Sequence, residues 1–140
     1  MGVLDNKVAV VTGVGSGIGK AISIAFADEG ASLGVGDINE DLLSKTTNDL
    51  KNKSKNITSI TTDVSNEDQV KKLIDETVRA YGKLDIIVNN VSVAIGGYPI
   101  TDMSNEDWQK IIGINFSSVF YGCKHSIPYL KKNNGGSIIN

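Results

Sequence analysis

The segment KVAVVTGVGSGIG, residues 7–19, changes from a strand pattern to a helix pattern across a glycine-rich turn. Residues 7–12 are a short apolar, β-branched run, which is typical of a buried strand. Residues 17–29 follow a helical pattern that Gly30 ends. The apolar stripe of this predicted helix is Ile18, Ile22, Ala25 and Phe26. A glycine-rich turn lets the backbone approach an anion, which the N–H groups and dipole of the helix N-terminus attract. The segment therefore predicts a pyrophosphate site.

Strand and helix patterns alternate along the rest of the chain. Strands are predicted at residues 31–36, 57–62, 84–88 and 137–140. Helices are predicted from the Asn39 cap to residue 54, from a capping box at Ser65 to residue 81, and over residues 105–131 after the Ser104 cap. Pro128 is expected to end or kink the last turn of that long helix. This order predicts an α/β fold, a three-layer doubly wound parallel sheet with five strands and four helices. It is expected to form one domain over residues 1–140, with no second domain.

Composition excludes several kinds of protein. The 140 residues include 14 Lys+Arg and 16 Asp+Glu, so a formal net charge of −2 gives no basic surface for nucleic acid or an anionic membrane. Cys123 is the single cysteine and His125 the single histidine, so we expect no disulfide and no metal site. No targeting or membrane-spanning segment is expected, and a cytoplasmic location is predicted.

The spacing of Gly13, Gly17 and Gly19 differs from that of two other phosphate-binding loops. A Walker loop requires Ser or Thr where this chain has Ala21, and a G-x-G-x-x-G fingerprint starting at Gly13 would place its third glycine at Ile18. A tight turn without a ligand is the structural alternative. The residues predicted to bind the ligand are Gly13, Gly15, Ser16, Gly17, Ile18 and Gly19.

The motif T-G-x-x-x-G-I-G at residues 12–19, directly after the first strand, resembles the short-chain dehydrogenase/reductase family. The resemblance covers all 140 residues, and within the family the chain is similar to the 3-oxoacyl-acyl-carrier-protein reductase and glucose dehydrogenase type. It implies a Rossmann fold that binds NAD(P) and transfers hydride between the nicotinamide and an alcohol or ketone. It also implies a small-molecule substrate and a homo-oligomeric full-length form.

Asp37 ends the second predicted strand, and a carboxylate at this place accepts hydrogen bonds from the ribose hydroxyls of adenosine. The same carboxylate repels a 2′-phosphate, and neither Ser16 nor Ile38 is a basic residue that could offset the repulsion. We therefore predict NAD as the cofactor, with NADP less favoured. The alternative is that Asp37 only begins the turn before Asn39.

The resemblance assigns further residues to the cofactor. Asp63 and Val64 follow the third strand, where the family holds adenine; the alternative is a turn Asp before the helix. Asn89 and Asn90 match the first half of the family motif N-N-A-G, which runs along the cofactor ribose. Val91 and Ser92 depart from that motif, and Val91 adds volume beside the cofactor.

Asn115 matches the family asparagine that perturbs the long helix and lets a water join a proton relay; a buried amide bonded to neighbouring backbone is the alternative. The family's catalytic Ser and its Y-x-x-x-K motif have no match in this sequence. Tyr121 has Lys124 at i+3 and His125 at i+4, within the wrong helix, and we interpret all three as surface or packing residues.

Three interpretations of the whole chain follow. The first is a truncated NAD-dependent oxidoreductase that carries the cofactor half of its site. The second is a natural NAD-binding module without catalysis. The third, a flavodoxin-like binder of phosphate or flavin, fits the alternation of elements but not the glycine loop with Asp37. Residues 91–103 would form one wall of the substrate pocket, with an apolar face.

Overall fold

A computed structural model describes residues 2–54 and 56–140 and has five strands. They are β1 (Val8–Thr12), β2 (Ser32–Asp37), β3 (Ile57–Thr61), β4 (Ile86–Val88) and β5 (Ser137–Ile139). All neighbouring strands are parallel, in the order β3-β2-β1-β4-β5. This confirms the predicted doubly wound α/β fold. The order reverses between β1 and β4, so a ligand crevice is expected at the carboxyl ends of these two strands.

The helices connect successive strands. They are α1 (Gly17–Asp28), α2 (Glu40–Lys51), α3 (Glu67–Tyr81), α4 (Asn105–Ile112) and α5 (Ser118–Lys132). A short 3₁₀ turn, Ile100–Asp102, precedes α4. None of the helices in the described ranges combines the length and the apolar character that crossing a bilayer requires.

The core lies on both faces of the sheet, because successive side chains of a strand point to opposite faces. On one face Val11 packs with Leu33 of β2 and Leu43 of α2. On the other face Val10 packs with Leu73 of α3 and Leu130 of α5. β1 is buried at all five positions, which explains its continuous apolar sequence.

The buried face of α1 differs from its predicted apolar stripe. Its buried residues are the small Gly19, Ser23 and Ala27. Ile22 and Phe26 pack only partly against the core, whereas Ile18 is 73% exposed. Small side chains let the helix lie close to the strands, and this places Ile18 at the mouth of the crevice.

The N-terminus of α3 is capped by Asn66 rather than by Ser65, so the predicted capping box is wrong by one residue. The Asn66 side chain accepts from the Gln69 N–H at 3.2 Å. Both the N–H and the hydroxyl of Ser65 donate to Asp63 Oδ1, at 2.9 and 2.6 Å. Ser65 therefore belongs to the turn before the helix.

The long helix predicted over residues 105–131 is interrupted. A π-helical turn, Gly113–Ser117, separates α4 from α5. A π turn holds an extra residue and is often found at functional sites, and this one contains Asn115. α5 ends at Lys132, one residue beyond the predicted end, and Pro128 lies inside it and does not end it. The Asn133 N–H closes its last turn by donating to the Tyr129 and Leu130 carbonyls, at 3.0 and 3.1 Å.

Candidate functional site

The glycine loop connects β1 to α1 at the switch point of the sheet. Gly13 has a φ of +72°, and its N–H donates to the Gly36 carbonyl at 2.7 Å. A Cβ at Gly19 would collide with the Gly13 carbonyl oxygen and would lie 2.5 Å from Asn90 Nδ2. Gly13 and Gly19 are therefore required by the turn itself, through backbone conformation and close approach respectively.

Gly17, in contrast, faces open space. Its φ is +54°, and among the described residues no heavy atom lies within 4 Å of the place where its Cβ would be. Ser16 precedes α1, but within the described ranges its side chain makes no capping hydrogen bond to the helix. In α2, α3 and α4 a side chain does accept such a bond. The N-terminus of α1 thus faces open space without a side-chain cap, which suits an anion such as pyrophosphate.

Asn90 fixes the glycine loop to β1. Its Nδ2 donates to the carbonyl oxygens of Thr12 at 3.0 Å and Gly13 at 3.2 Å. The backbone N–H of Asn90 donates to Thr12 Oγ1 at 3.1 Å, and the Thr12 hydroxyl donates to the Val88 carbonyl at 3.3 Å. This network holds the ends of β1 and β4 together beneath the crevice.

Asp37 lies at the end of β2 with both carboxylate oxygens held by backbone. Oδ2 accepts from the Gly15 N–H at 2.8 Å and Oδ1 from the Asn39 N–H at 2.9 Å. A carboxylate has about four acceptor positions. Two backbone bonds therefore orient the Asp37 group and leave acceptor capacity for hydroxyl groups of a ligand.

Two adjacent cavities open along the carboxyl ends of the strands. The larger, about 430 Å³, runs over the glycine loop and the smaller, about 130 Å³, lies between the ends of β2 and β3 and the loop after β4. The larger is lined by Gly13, Ser16, Gly17, Ile18, Asp37, Asn90, Val91 and Ser92. The smaller is lined by Gly13, Asp37, Ile38, Thr62, Asp63, Val64, Val91, Val93 and Ile114. Gly13, Asp37 and Val91 line both cavities, so a ligand that occupied both would pass directly beside them.

Most of the predicted cofactor residues meet at these cavities. Asp63 and Val64 line the smaller one, and the Asp63 N–H is fixed by Gln69 Oε1 at 2.8 Å. Its apolar walls suit a planar base, whereas the larger, glycine-lined cavity suits phosphate groups. The apolar cavity and the glycine-lined cavity meet at Gly13, Asp37 and Val91.

Four of the predicted site residues are not among the described residues that line the two cavities: Gly15, Gly19, Asn89 and Asn115. Asn89 Nδ2 donates to Asn140 Oδ1 at 2.8 Å, and the Asn89 side chain occupies the space that a Cβ at Gly122 of α5 would need. Asn115 Nδ2 donates to the Val93 carbonyl at 2.7 Å, and Asn115 Oδ1 accepts from the Val93 N–H at 2.8 Å. Asn115 thus ties the π turn to the loop that follows β4.

Two lining residues, Val93 and Ile114, were missed by the sequence analysis. Ile114 neighbours the predicted site residue Asn115, so its position carried a signal. Val93 lies in an irregular loop, and only the pairing of its backbone with Asn115 fixes it there. No periodic pattern could have found that contact.

The side chains of Lys124 and His125 contact α3 instead of the cavities. Lys124 Nζ and His125 Nε2 lie 2.7 and 2.9 Å from Glu67 Oε1. Hydrogen bonds from Lys124 and then His125 lower the pKa of the Glu67 carboxyl. Tyr121 packs partly against the core on the same side of the sheet. Among the described residues no group of three or more His, Cys, Asp or Glu could hold a metal ion.

Comparison with known proteins identifies the family. Residues 7–140 match the family of short chain dehydrogenases. The chain belongs to the short-chain dehydrogenase/reductase family. A 3β-hydroxysteroid dehydrogenase of Eggerthella lenta is 37% identical over 139 residues, which are 99% of this chain and 54% of that protein. A 3-oxoacyl-[acyl-carrier-protein] reductase of Thermotoga maritima is 34% identical over 98% of this chain and 55% of its own length.

Solved structures of two dehydrogenases in complex with NAD have the same fold. A short-chain dehydrogenase/reductase from Burkholderia phymatum in complex with NAD has a TM-score of 0.92 at 35% identity, covering 99% of this chain and 49% of its own. Carveol dehydrogenase from Mycobacterium avium in complex with NAD has a TM-score of 0.93 at 29% identity, covering 99% and 55%. The chain spans about half the length of the curated relatives it matches.

Proposed function

We propose that the chain binds NAD across the two cavities and forms the cofactor half of an oxidoreductase site. The reaction would transfer hydride between the nicotinamide and an alcohol or ketone. The observation that carries the proposal is the position of Asp37, which lines both cavities and has both oxygens oriented by backbone N–H groups. The NAD-bound short-chain dehydrogenases of the same fold support it.

The preference for NAD over NADP follows from charge. A 2′-phosphate on the adenine-side ribose would come close to the Asp37 carboxylate. No Lys or Arg of the described residues lines either cavity, so nothing there would neutralise the phosphate. Like charges at close range are unfavourable unless a base lies between them.

Asp37→Ala tests this assignment. We expect the parent chain to bind NAD more tightly than NADP, and the variant to lose at least about tenfold of that preference, because hydrogen bonds to a charged group contribute about 1.5–3 kcal/mol each. Thermal shift and calorimetric titration with both cofactors measure it. Asp49→Ala is the matched control, since among the described residues Asp49 pairs with Lys20 alone, on the surface. Equal affinities of the parent for NAD and NADP would contradict the proposal.

A natural NAD-binding module without catalysis is the second candidate, and hydride transfer distinguishes the two. None of the four tyrosines is followed by Lys in the spacing Y-x-x-x-K. General acid–base catalysis contributes about 10²–10⁴-fold, so we expect residues 1–140 alone to form no NADH from a panel of secondary alcohols and sugars. Turnover of about 1 s⁻¹ or more would mean that groups within this chain, such as Tyr121 and Lys124, do the chemistry.

We further propose roles for the three asparagines, an oligomeric state and a cellular location. Residues 1–140 would form the NAD-binding domain, in which Asn115 would serve the proton relay and Asn90 would lie on the ribose side of the crevice. Asn89, which lines neither cavity, would act through its contacts with Asn140 and α5. Phe116 and Phe120, 72% and 56% exposed on the outside of the π turn and α5, support a homo-oligomer. A cytoplasmic location is part of the proposal.

A further inference from the structure

At Gly15 a side chain is excluded by neighbouring atoms and not by the backbone conformation. Gly13 and Gly17 have positive φ angles, but Gly15 does not. A Cβ at Gly15 would lie 2.9 Å from Asp37 Oδ2 and 2.9 Å from Leu42 Cβ. The backbone conformation therefore permits other residues at Gly15, whereas the neighbouring carboxylate and the start of α2 do not.

We propose that Gly15 is a positioning residue for the cofactor specificity of this site, because its N–H and its missing side chain together hold the Asp37 carboxylate in the orientation that accepts ribose hydroxyls. The inference rests on the proposed binding of NAD. It assigns part of the discrimination against NADP to a residue that touches Asp37, in addition to Asp37 itself.

The contacts around Asp37 explain why a side chain at Gly15 would matter. The Gly15 N–H holds Oδ2 on one side, and the Asn39 N–H holds Oδ1 on the other. Leu42 cannot move away easily, because its own N–H donates to the Asn39 side chain at 3.0 Å in the cap of α2. A methyl group at Gly15 must therefore displace either the carboxylate or the first turn of α2. The Asp37 side chain can rotate, so we expect the carboxylate to move.

Gly15→Ala tests this inference through the ratio of two affinities. Displacing the carboxylate should weaken the binding of NAD and reduce the electrostatic repulsion of NADP. The Kd for NADP divided by the Kd for NAD should therefore fall by about five- to tenfold. In the double variant Gly15→Ala/Asp37→Ala the ratio should equal that of Asp37→Ala alone, because the methyl group acts through the carboxylate. Gly96→Ala is the control, since no described atom lies within 4 Å of a Cβ at Gly96 and it lines neither cavity.

A second measurement does not depend on the folding of Gly15→Ala. In NMR spectra of the Asp37→Ala variant, the Gly15 amide signal should shift strongly, because its acceptor at 2.8 Å is removed. A Gly15→Ala variant that weakens both cofactors equally, or a Gly15 amide that does not respond to Asp37→Ala, would overturn the inference. A parent chain that does not prefer NAD would instead overturn the proposed function.

Discussion

Gly17→Val and Gly19→Val should each weaken NAD binding by at least about 100-fold, for two different reasons. The Cβ of Gly17 would point into open space at the N-terminus of α1, where we place the pyrophosphate. A valine there would occupy the ligand's volume and would also be strained at a φ of +54°. The Cβ of Gly19 would instead collide with the Gly13 carbonyl and so distort the turn.

Thermal unfolding beside the binding titration separates the two causes. Gly19→Val should lower Tm more than Gly17→Val does, since its clash lies inside the packed turn. Gly96→Val, in open space outside both cavities, should change neither NAD affinity nor Tm appreciably. If both loop variants kept the affinity of the parent chain, the pyrophosphate would have to bind elsewhere.

The sequence allowed the fold and most of the candidate site to be predicted. The glycine spacing at residues 13–19, the carboxylate at Asp37 and the pair Asp63–Val64 are local in the chain, and each follows directly after a strand. Parallel strands bring their carboxyl ends to one edge, so the topology itself gathers these residues. As a consequence, Gly13 and Asp37 line both cavities and Asp63 lines the smaller one.

The parts that could not be predicted depend on contacts between distant segments. Ile18 is exposed because the close approach of α1 to β1 selects the small face of the helix. The π turn pairs Asn115 with Val93, 22 positions away. In each case tertiary contacts outweigh a local propensity.

Asp85 directly precedes β4, at the amino ends of the strands and opposite the two cavities. No sequence motif indicated its role. Its side chain is 7% exposed, and it joins the start of β1 to the end of α5. Oδ2 accepts from the Val8 N–H at 2.8 Å and Oδ1 from Asn133 Nδ2 at 2.9 Å. Lys83 Nζ lies 3.0 Å from Oδ2 and Lys7 Nζ 3.5 Å from Oδ1. Burial raises the pKa of Asp85, but the hydrogen bonds from Val8, Lys83 and Asn133 outweigh it and leave that pKa below its usual value.

Asp85→Ala should therefore reduce the free energy of unfolding by about 3 kcal/mol at pH 7, because it leaves the buried Val8 N–H without an acceptor and two lysines without their carboxylate. This loss of stability is at the lower end of the range expected for removing one partner of a buried ion pair, because the side chains of Lys7 and Lys83 are 50% and 35% exposed. Asp49→Ala, which removes an exposed ion pair, should cost less than about 1 kcal/mol.

The pH dependence gives this prediction a second test. A carboxyl whose pKa is lower in the folded state stabilises the fold above its unfolded pKa of about 4, and this contribution is lost as the pH falls through the lower folded value. The stability difference between the parent chain and Asp85→Ala should thus be constant above about pH 5 and shrink below about pH 4. Urea unfolding of both proteins from pH 7 down to pH 3 measures it. A difference that stayed constant throughout would mean that Asp85 contributes only by filling space, and not through its charge.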